Sequence, residues 1–506
     1  MDVFYSLLYG FSVALQPINL MSCFLGALLG TLIGVLPGIG PVGAIAILLP
    51  VTFHMSPTAA IIMLAGIYYG AMYGGSTTSI LVNIPGEAAS VVTCLDGHQM
   101  AKQGRAGPAL GMAAFGSFIA GTFGVIGVTT LAAPLSRFAL RFGSPEYFGL
   151  CLLGLSLVTY LSSRSAIKAV IMAAFGLILS CVGLDVIYGS SRMTFDIMEL
   201  WDGIDIIPIA MGLFGIPEVL ENIERTEIRE VIKTKIKSFL PTLADWAQSK
   251  WAIVRGSVLG FFVGILPGGH PVIASFLSYG VEKRLAKDPR RFGQGAIEGV
   301  AGPESANNSA TAGGFIPLLI LGIPANAVMA LMFGALMIHG MRPGPQLLNV
   351  QPDLFWGVIS SMYIGNGMLL VLNLPLIPMW VQVLKVPYRI LFPLILLFCI
   401  IGTFSIRNST FDLTVLMIFG LMGYLFKKFE YEPAPLILAF VLGPMVETNL
   451  RQSLLFSGGS FLIFFTRPIS AILVSVALVL IILAIAPYFR RSYRKGINKD
   501  VRYASS

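Results

Sequence analysis

Apolar runs near 110–136, 145–163, 166–188, 353–380, 410–426 and 467–488 recur along the chain. Each is close to the roughly 20 residues that a helix needs to cross a bilayer. Helices satisfy their own backbone groups in lipid, and these runs are too long and too little alternating to be barrel strands. Composition agrees: the 506 residues are 56% hydrophobic and 11% charged, with a mean hydropathy of +0.83. Soluble domains carry about 25% charged residues. The expectation is an all-α polytopic membrane protein of about 10–12 transmembrane helices.

The net charge of +8 does not point to nucleic acid, because the basic residues cluster beside apolar runs. The clusters are "IKTKIK" (232–237), "EKRLAKDPRR" (282–291) and "RRSYRKGINK" (490–499). That is the positive-inside pattern, and it predicts a cytoplasmic C-terminus. Five cysteines without paired spacing argue against a disulfide or zinc framework, and four scattered histidines offer no ligand set. The start lacks a basic n-region, so no cleaved signal peptide is expected.

The chain contains an internal duplication. "GTLIGVLPGIGPVGAIA" (30–46) aligns with "GFFVGILPGGHPVIASF" (260–276), an offset of 230 from Gly34 to Gly264. "GGSTTSILVNIPGE" (74–87) aligns with "GGFIPLLILGIPAN" (313–326) at 239, and Gly107-Pro108 with Gly344-Pro345 at 237. Ordered blocks at similar offsets predict two homologous halves, 1–220 and 251–490. A charged linker over 221–250 joins them, and a basic tail follows at 491–506.

Equivalent loops carry opposite charge signatures. "EKRLAKDPRR" is strongly basic, whereas its counterpart "TFHMSP" (52–57) has no Lys or Arg; "DGHQMAKQGR" (96–105) carries Lys102 and Arg105, against Arg342 alone in "HGMRPGPQLL". This reversal predicts inverted repeats, a build common among secondary transporters. If the linker is also cytoplasmic, residues 251–281 leave and return on one side as a re-entrant hairpin.

Pro37, Gly38, Gly40 and Pro41, echoed as Pro267, Gly268, Gly269 and Pro271, sit where an unbroken helix is otherwise called for. Pro removes a hydrogen bond and Gly frees the backbone, so the helix must end and restart. Non-helical backbone at membrane depth persists only where protein covers it or a cavity wets it. A restarted helix presents N–H groups suited to an anion, which makes both breaks candidate binding loops; close packing at Gly is the alternative.

Polar groups flank the breaks. Ser76 and Thr77 begin a run of four hydroxyls, followed by Asn83, Gly86 and Glu87. In the second half Glu298 precedes Glu304, Asn307, Asn308 and Thr311, and the last four share one helical face. Asn326 closes the "GIPAN" block. Carboxylate, amide and hydroxyl oxygens on one face suit Na⁺, or Glu304 carries a proton, since intramembrane acids usually mark such pathways. No other metal site is expected. The competing role for the hydroxyls is interhelical hydrogen bonding, and Asp96 and Glu87 are ambiguous between loop mouth and site.

"GVLPGIGPVGAIAILLP", "YGGSTTSILVNIPGEAASVVTCLDGHQMAKQGRAGPAL", "FGQGAIEGVAGPESANNSATAGG" and "LGIPANAVMALMFGALMIHGMRPGPQLL" together resemble the large membrane subunit of tripartite tricarboxylate transporters. The resemblance runs over nearly the whole chain. It implies a bacterial inner-membrane permease that works with a small four-helix membrane subunit and a periplasmic solute-binding protein. It further implies uptake of a carboxylate (citrate or another tricarboxylate, a dicarboxylate or an aromatic acid) driven by an ion gradient, with no cofactor beyond the coupling ion, Na⁺ or H⁺. Two departures stand out: Ala325 where the first half has Gly86, and His270 where it has Gly40.

No Gly-x-x-x-x-Gly-Lys-Ser/Thr pattern is present, so no ATPase is expected. An intramembrane lipid or acyl transferase would need a nucleophile with a positioned base, and no histidine has an evident partner; the expectation is that the chain is not an enzyme. An anion channel would need a continuous polar pore, which the sequence leaves open.

Overall fold

A computed structural model describes residues 3–36, 38–161, 165–185, 187–224, 239–384, 388–484 and 486. Pro37, part of the 221–250 segment and the 491–506 tail therefore lie outside the described residues. Helices dominate. In the first half they are α1 (Val3–Ala14), α2 (Pro17–Val35), α3 (Gly40–Leu48), α4 (Pro57–Val82), α5 (Val91–Lys102), α6 (Ala106–Ala139), α7 (Ser144–Tyr160) and α8 (Ala166–Ser180). The second half contributes α9 (Leu243–Ile265), α10 (Pro271–Leu285), α11 (Glu298–Gly313), α12 (Ala327–Ile338), α13 (Pro352–Asn373) and α14 (Ala434–Phe456), among others. The protein is an all-α, multi-pass membrane protein. Among the described residues five helices are long and apolar enough to cross a bilayer, joined by six shorter apolar ones.

The chain divides into two compact units, and each draws on both halves of the sequence. One comprises 1–141 with 205–425, the other 142–204 with 426–506. Part of the 221–250 segment is helical at its C-terminal end. Residues 243–250 are the first two turns of α9, started by a capping box in which Thr242 accepts from the Asp245 N–H and Asp245 from the Thr242 N–H. The charges there belong to a helix end, where Arg105 pairs with Asp245.

Within the larger unit, α2–α3–α4–α5–α6 and α9–α10–α11–α12–α13 are the same succession of elements. What makes them equivalent is a pair of glycine ladders. An added Cβ at Gly26, Gly30 or Gly34 would lie 2.3, 2.5 and 2.3 Å from the carbonyl oxygens of Met63, Ile67 and Ala71 on α4. At Gly256, Gly260 and Gly264 it would lie 2.4, 2.1 and 2.2 Å from those of Gly302, Ala306 and Ala310 on α11. The glycines are spaced by four in both cases, offset by 230, and their carbonyl partners by 239. Small residues at this spacing let two helix backbones touch, which is how helices bind tightly where lipid supplies no hydrophobic drive.

The breaks fall where expected. Leu36 and Leu266 are extended, ending α2 and α9, and Pro41 and Pro271 stand in the first turn of the restarted helices. Gly38, Gly40 and Gly268 have φ of +110°, +63° and +84°, conformations that glycine alone adopts readily. The second duplicated block matches in detail too. Asn83 and Gly322 are both left-handed residues ending a helical segment, and Glu87 and Asn326 both cap the helical turn that follows.

The smaller unit pairs α8 with α14, where a Cβ on Gly176 would meet the Leu436 carbonyl at 2.2 Å. A short antiparallel ladder, β1 (Gly183–Leu184) and β2 (Ser191–Arg192), follows α8. Beside it Arg451 bridges Asp185 (2.9 Å) and Glu447 (3.0 Å), and Arg192 joins Glu447 at 2.6 Å. Backbone N–H groups of Tyr188 and Ile187, with Arg451, hold the Asp185 carboxyl at about 2.

Candidate functional site

Glu304 is fully buried near the middle of α11. The Thr93 hydroxyl, from the first turn of α5, donates to one of its oxygens, and Asn307 Nδ2 lies 3.3 Å from the other. The Ser76 hydroxyl on α4, which donates to the Met72 carbonyl at 3.4 Å, stands beside the same carboxylate. Three helices drawn from both halves thus converge on one carboxylate. Asn308, next along the helix, gives its Nδ2 to Ser117 Oγ of α6 (2.8 Å), to the Glu304 carbonyl (3.0 Å) and to Asn307 Oδ1 (2.5 Å). Thr311 donates to the Asn307 carbonyl at 2.8 Å and also meets Tyr68. The face read from spacing alone is real, and it is turned inward.

A narrow cleft of about 250 Å³, its open mouth included, runs alongside. Its polar lining is Tyr73, Ser76, Thr77, Ser117 and Asn373, with Leu110, Ala113, Ala114 and Ile377 as the apolar wall. Its enclosed part has room for about one water, so a di- or tricarboxylate enters only if the walls part. Ser76 and Ser117 belong to both assemblies: each lines the cleft, Ser76 stands beside Glu304, and Ser117 accepts from Asn308 at 2.8 Å. Asn373 Oδ1 is buried in the cleft wall without a partner among the described residues. Thr93, Ser117, Tyr73 and Asn373 were absent from the sequence reading. Nothing in their local spacing distinguishes them; only the fold brings them to the site.

The other expected residues divide. Gly38 is exposed and Gly40 half-buried, with open space around the latter's Cβ position. Gly268 and Gly269 are buried beside Pro267, and their N–H groups are engaged by the Ala325 carbonyl (2.8 Å) and the Leu266 carbonyl (2.7 Å). In this conformation that break is tied to the "GIPAN" loop, and its N–H groups do not point at an anion. Ala325 serves through its carbonyl, and His270 caps α10 by accepting from the Val272 N–H at 3.3 Å. Gly86 is a packing residue: its Cβ would lie 2.0 Å from the Gly34 carbonyl. Asn83 is exposed and acts as the left-handed end of α4. Asn326 accepts from the Met329 N–H at 3.0 Å and reaches the Tyr68 hydroxyl at 3.3 Å. Glu298 stands apart from Glu304, two turns earlier, and pairs with Arg291 at 3.2 Å. The same residue type on the same helix has a different neighbourhood because only the later one reaches the interior.

Asp96 turns out to be a tie between the halves. Its Oδ1 accepts from the N–H groups of Gly293, Gly295 and Ala296, each at 2.8 Å, and its Oδ2 from the Tyr279 hydroxyl at 3.0 Å. A first-half carboxylate on α5 therefore organises the segment that leads into α11 and carries Glu304 into place.

A family model for the tripartite tricarboxylate transporter TctA family matches residues 20–438. The chain belongs to that family. An Agrobacterium vitis protein described as "Uncharacterized 52.8 kDa protein in TAR-I ttuC' 3'region" is 50% identical over 490 residues, covering 97% of this chain and 98% of the relative. A second A. vitis protein, "Uncharacterized protein in TAR-II ttuC' 3'region", is 54% identical over 231 residues, 46% of this chain and 96% of the relative. No solved structure matches. As a TctA-family member the chain is the large subunit of a tripartite transporter.

Proposed function

We propose that this TctA-family chain is the permease of a binding-protein-dependent secondary transporter of the bacterial inner membrane. It imports a carboxylate (a tricarboxylate such as citrate, or a di- or aromatic carboxylate), driven by a Na⁺ or H⁺ gradient. A periplasmic solute-binding protein delivers the substrate, and a small four-helix membrane subunit completes the assembly. The observation that carries this reading is the double use of Ser76 and Ser117. A substrate that takes hydrogen bonds from these hydroxyls in the cleft changes the groups that hold Glu304 and Asn308, so substrate and ion occupancy are linked through shared contacts. In this reading the repeats are inverted and rock about the broken helices.

The test is uptake by proteoliposomes containing this chain, the small subunit and the cognate binding protein. Accumulation above the external concentration, collapsing when an ionophore removes the driving gradient, is the expected result; downhill flux that ignores the gradient would identify a channel. Topology is checked separately with single cysteines at the exposed positions His54 and Lys287 in a cysteine-free background. An impermeant thiol reagent added to spheroplasts should label the first and spare the second. Labelling of both from one side would remove the inverted arrangement.

A further inference from the structure

Glu87 has one carboxylate oxygen that the protein uses and one that it does not. Oε2 accepts from the Ala89 N–H at 2.5 Å, capping the turn before α5. Oε1 is buried and has no hydrogen-bond partner among the described residues, in a side chain 5% exposed. A buried, unpartnered carboxylate oxygen is costly unless something positive meets it.

Three features place Glu87 beside Glu304. The Glu87 Cγ packs over Gly75, so that a Cβ there would lie 2.8 Å away, and the next residue, Ser76, stands beside Glu304. The turn that Glu87 caps leads directly into α5, which carries Thr93, a donor to Glu304. The duplication supplies the third. Glu87 is the counterpart of Asn326, and Asn307 that of Tyr68, both by the offset of 239. Asn326 of the second half reaches Tyr68 of the first, and the same relation between the halves directs Glu87 of the first toward Asn307 of the second, the donor to Glu304. The two carboxylates interact electrostatically, and among the described residues neither has a Lys or Arg in ion-pair contact.

We infer that Glu87 and Glu304 together form the site of one monovalent cation, Na⁺, with the hydroxyl oxygens of Ser76 and Thr93 beside them. Hard oxygen donors select against soft metals. The described residues include no set of three or more acidic, His or Cys side chains placed to hold a metal; a shell with only two carboxylates suits a single charge better than Ca²⁺, which takes six to eight oxygens, several of them anionic. This deepens the permease reading, on which it rests for its coupling role, and it replaces Glu298 by Glu87 as the second acid.

The test uses purified full-length chain in detergent and reads cation binding directly. At constant ionic strength NaCl replaces choline chloride, and the thermal midpoint and ²²Na⁺ retention are followed. The wild type should show saturable stabilisation by Na⁺ and none by choline. Glu87→Gln, which keeps an oxygen for the Ala89 N–H, should weaken Na⁺ binding at least about tenfold, the effect of losing about 1.4 kcal/mol. Glu304→Gln should abolish binding, and Thr93→Val should weaken it, which keeps the test open if Glu87→Gln proves unstable by gel filtration. Wild-type Na⁺ affinity in a monodisperse Glu87→Gln protein, or no Na⁺-specific binding by the wild type, overturns the inference. Carboxylate uptake is scored separately, so intact Na⁺ binding without uptake would count against the permease reading alone.

Discussion

Gly260→Val is expected to leave no correctly folded protein in the membrane, whereas Gly280→Ala should be tolerated. The Cβ of residue 260 would lie 2.1 Å from the Ala306 carbonyl oxygen, more than 1 Å inside ordinary contact, and the obstacle is backbone on a packed helix. Only separation of α9 from α11 relieves it. The helices touch at three successive rungs, so opening one strains the others, and the loss exceeds the roughly 4–5 kcal/mol that marks exceptional single substitutions. Position 280 has nothing within 4 Å of its Cβ, and alanine there gains up to about 1 kcal/mol of helix propensity. Size-exclusion profiles of detergent-extracted membranes compare the two. A monodisperse Gly260→Val peak at wild-type yield would show that the close crossing is dispensable. Gly30→Val, at the same rung of the first ladder, should repeat the outcome.

Asp96→Ala should cost at least about 3 kcal/mol, because it orphans three backbone N–H groups whose individual burial penalties are about 1–3 kcal/mol. Its Tyr279 partner loses its acceptor as well. The segment 293–297 then keeps the Gln103 bond to the Gln294 carbonyl and the buried packing of Ile297, but its N-terminal turn loses its anchor and the path into α11 loosens. Arg290 and Arg291 lie exposed just before it, so trypsin cleavage after them should quicken by tenfold or more while cleavage elsewhere is unchanged. Asp96→Asn, which keeps one acceptor oxygen, should fall between. Equal cleavage rates in all three proteins would mean that the tie is redundant.

How much of this was legible beforehand depended on range. Pro and Gly act on their own backbone, so the breaks at 36–41 and 266–271 could be placed to within a residue or two. The inward face of α11 was readable because i, i+3, i+4, i+7 spacing is a property of one helix. Partners 183 to 211 residues away, such as Tyr279 with Asp96 or Thr93 with Glu304, leave no local trace. The glycine spacing of four at 26–34 and 256–264 was present in the sequence, and so was Thr242 with Asp245 three residues on. Neither pattern names its partner: small residues spaced by four occur in many apolar helices, and a capping pair inside a charged stretch is masked by the charges around it. Glu298 was grouped with Glu304 because one helix carries both; burial, which composition does not reveal, separates them.

The Asp96 tie bears on how a doubled gene diverged. From Gly34 to Met63 the first copy spends 29 residues between the ends of its ladder, and from Gly264 to Gly302 the second spends 38. The nine extra residues fall between α9 and α11, the stretch whose last turn Asp96 holds. The position matching Asp96 in the second copy falls at 333–335, Phe-Gly-Ala, with no acid. Two first copies would carry the clasp with nothing to fasten, and two second copies the long strap with no clasp. What began as interchangeable parts has become a matched set, in which neither copy replaces the other even though both still fold on the same glycine rungs.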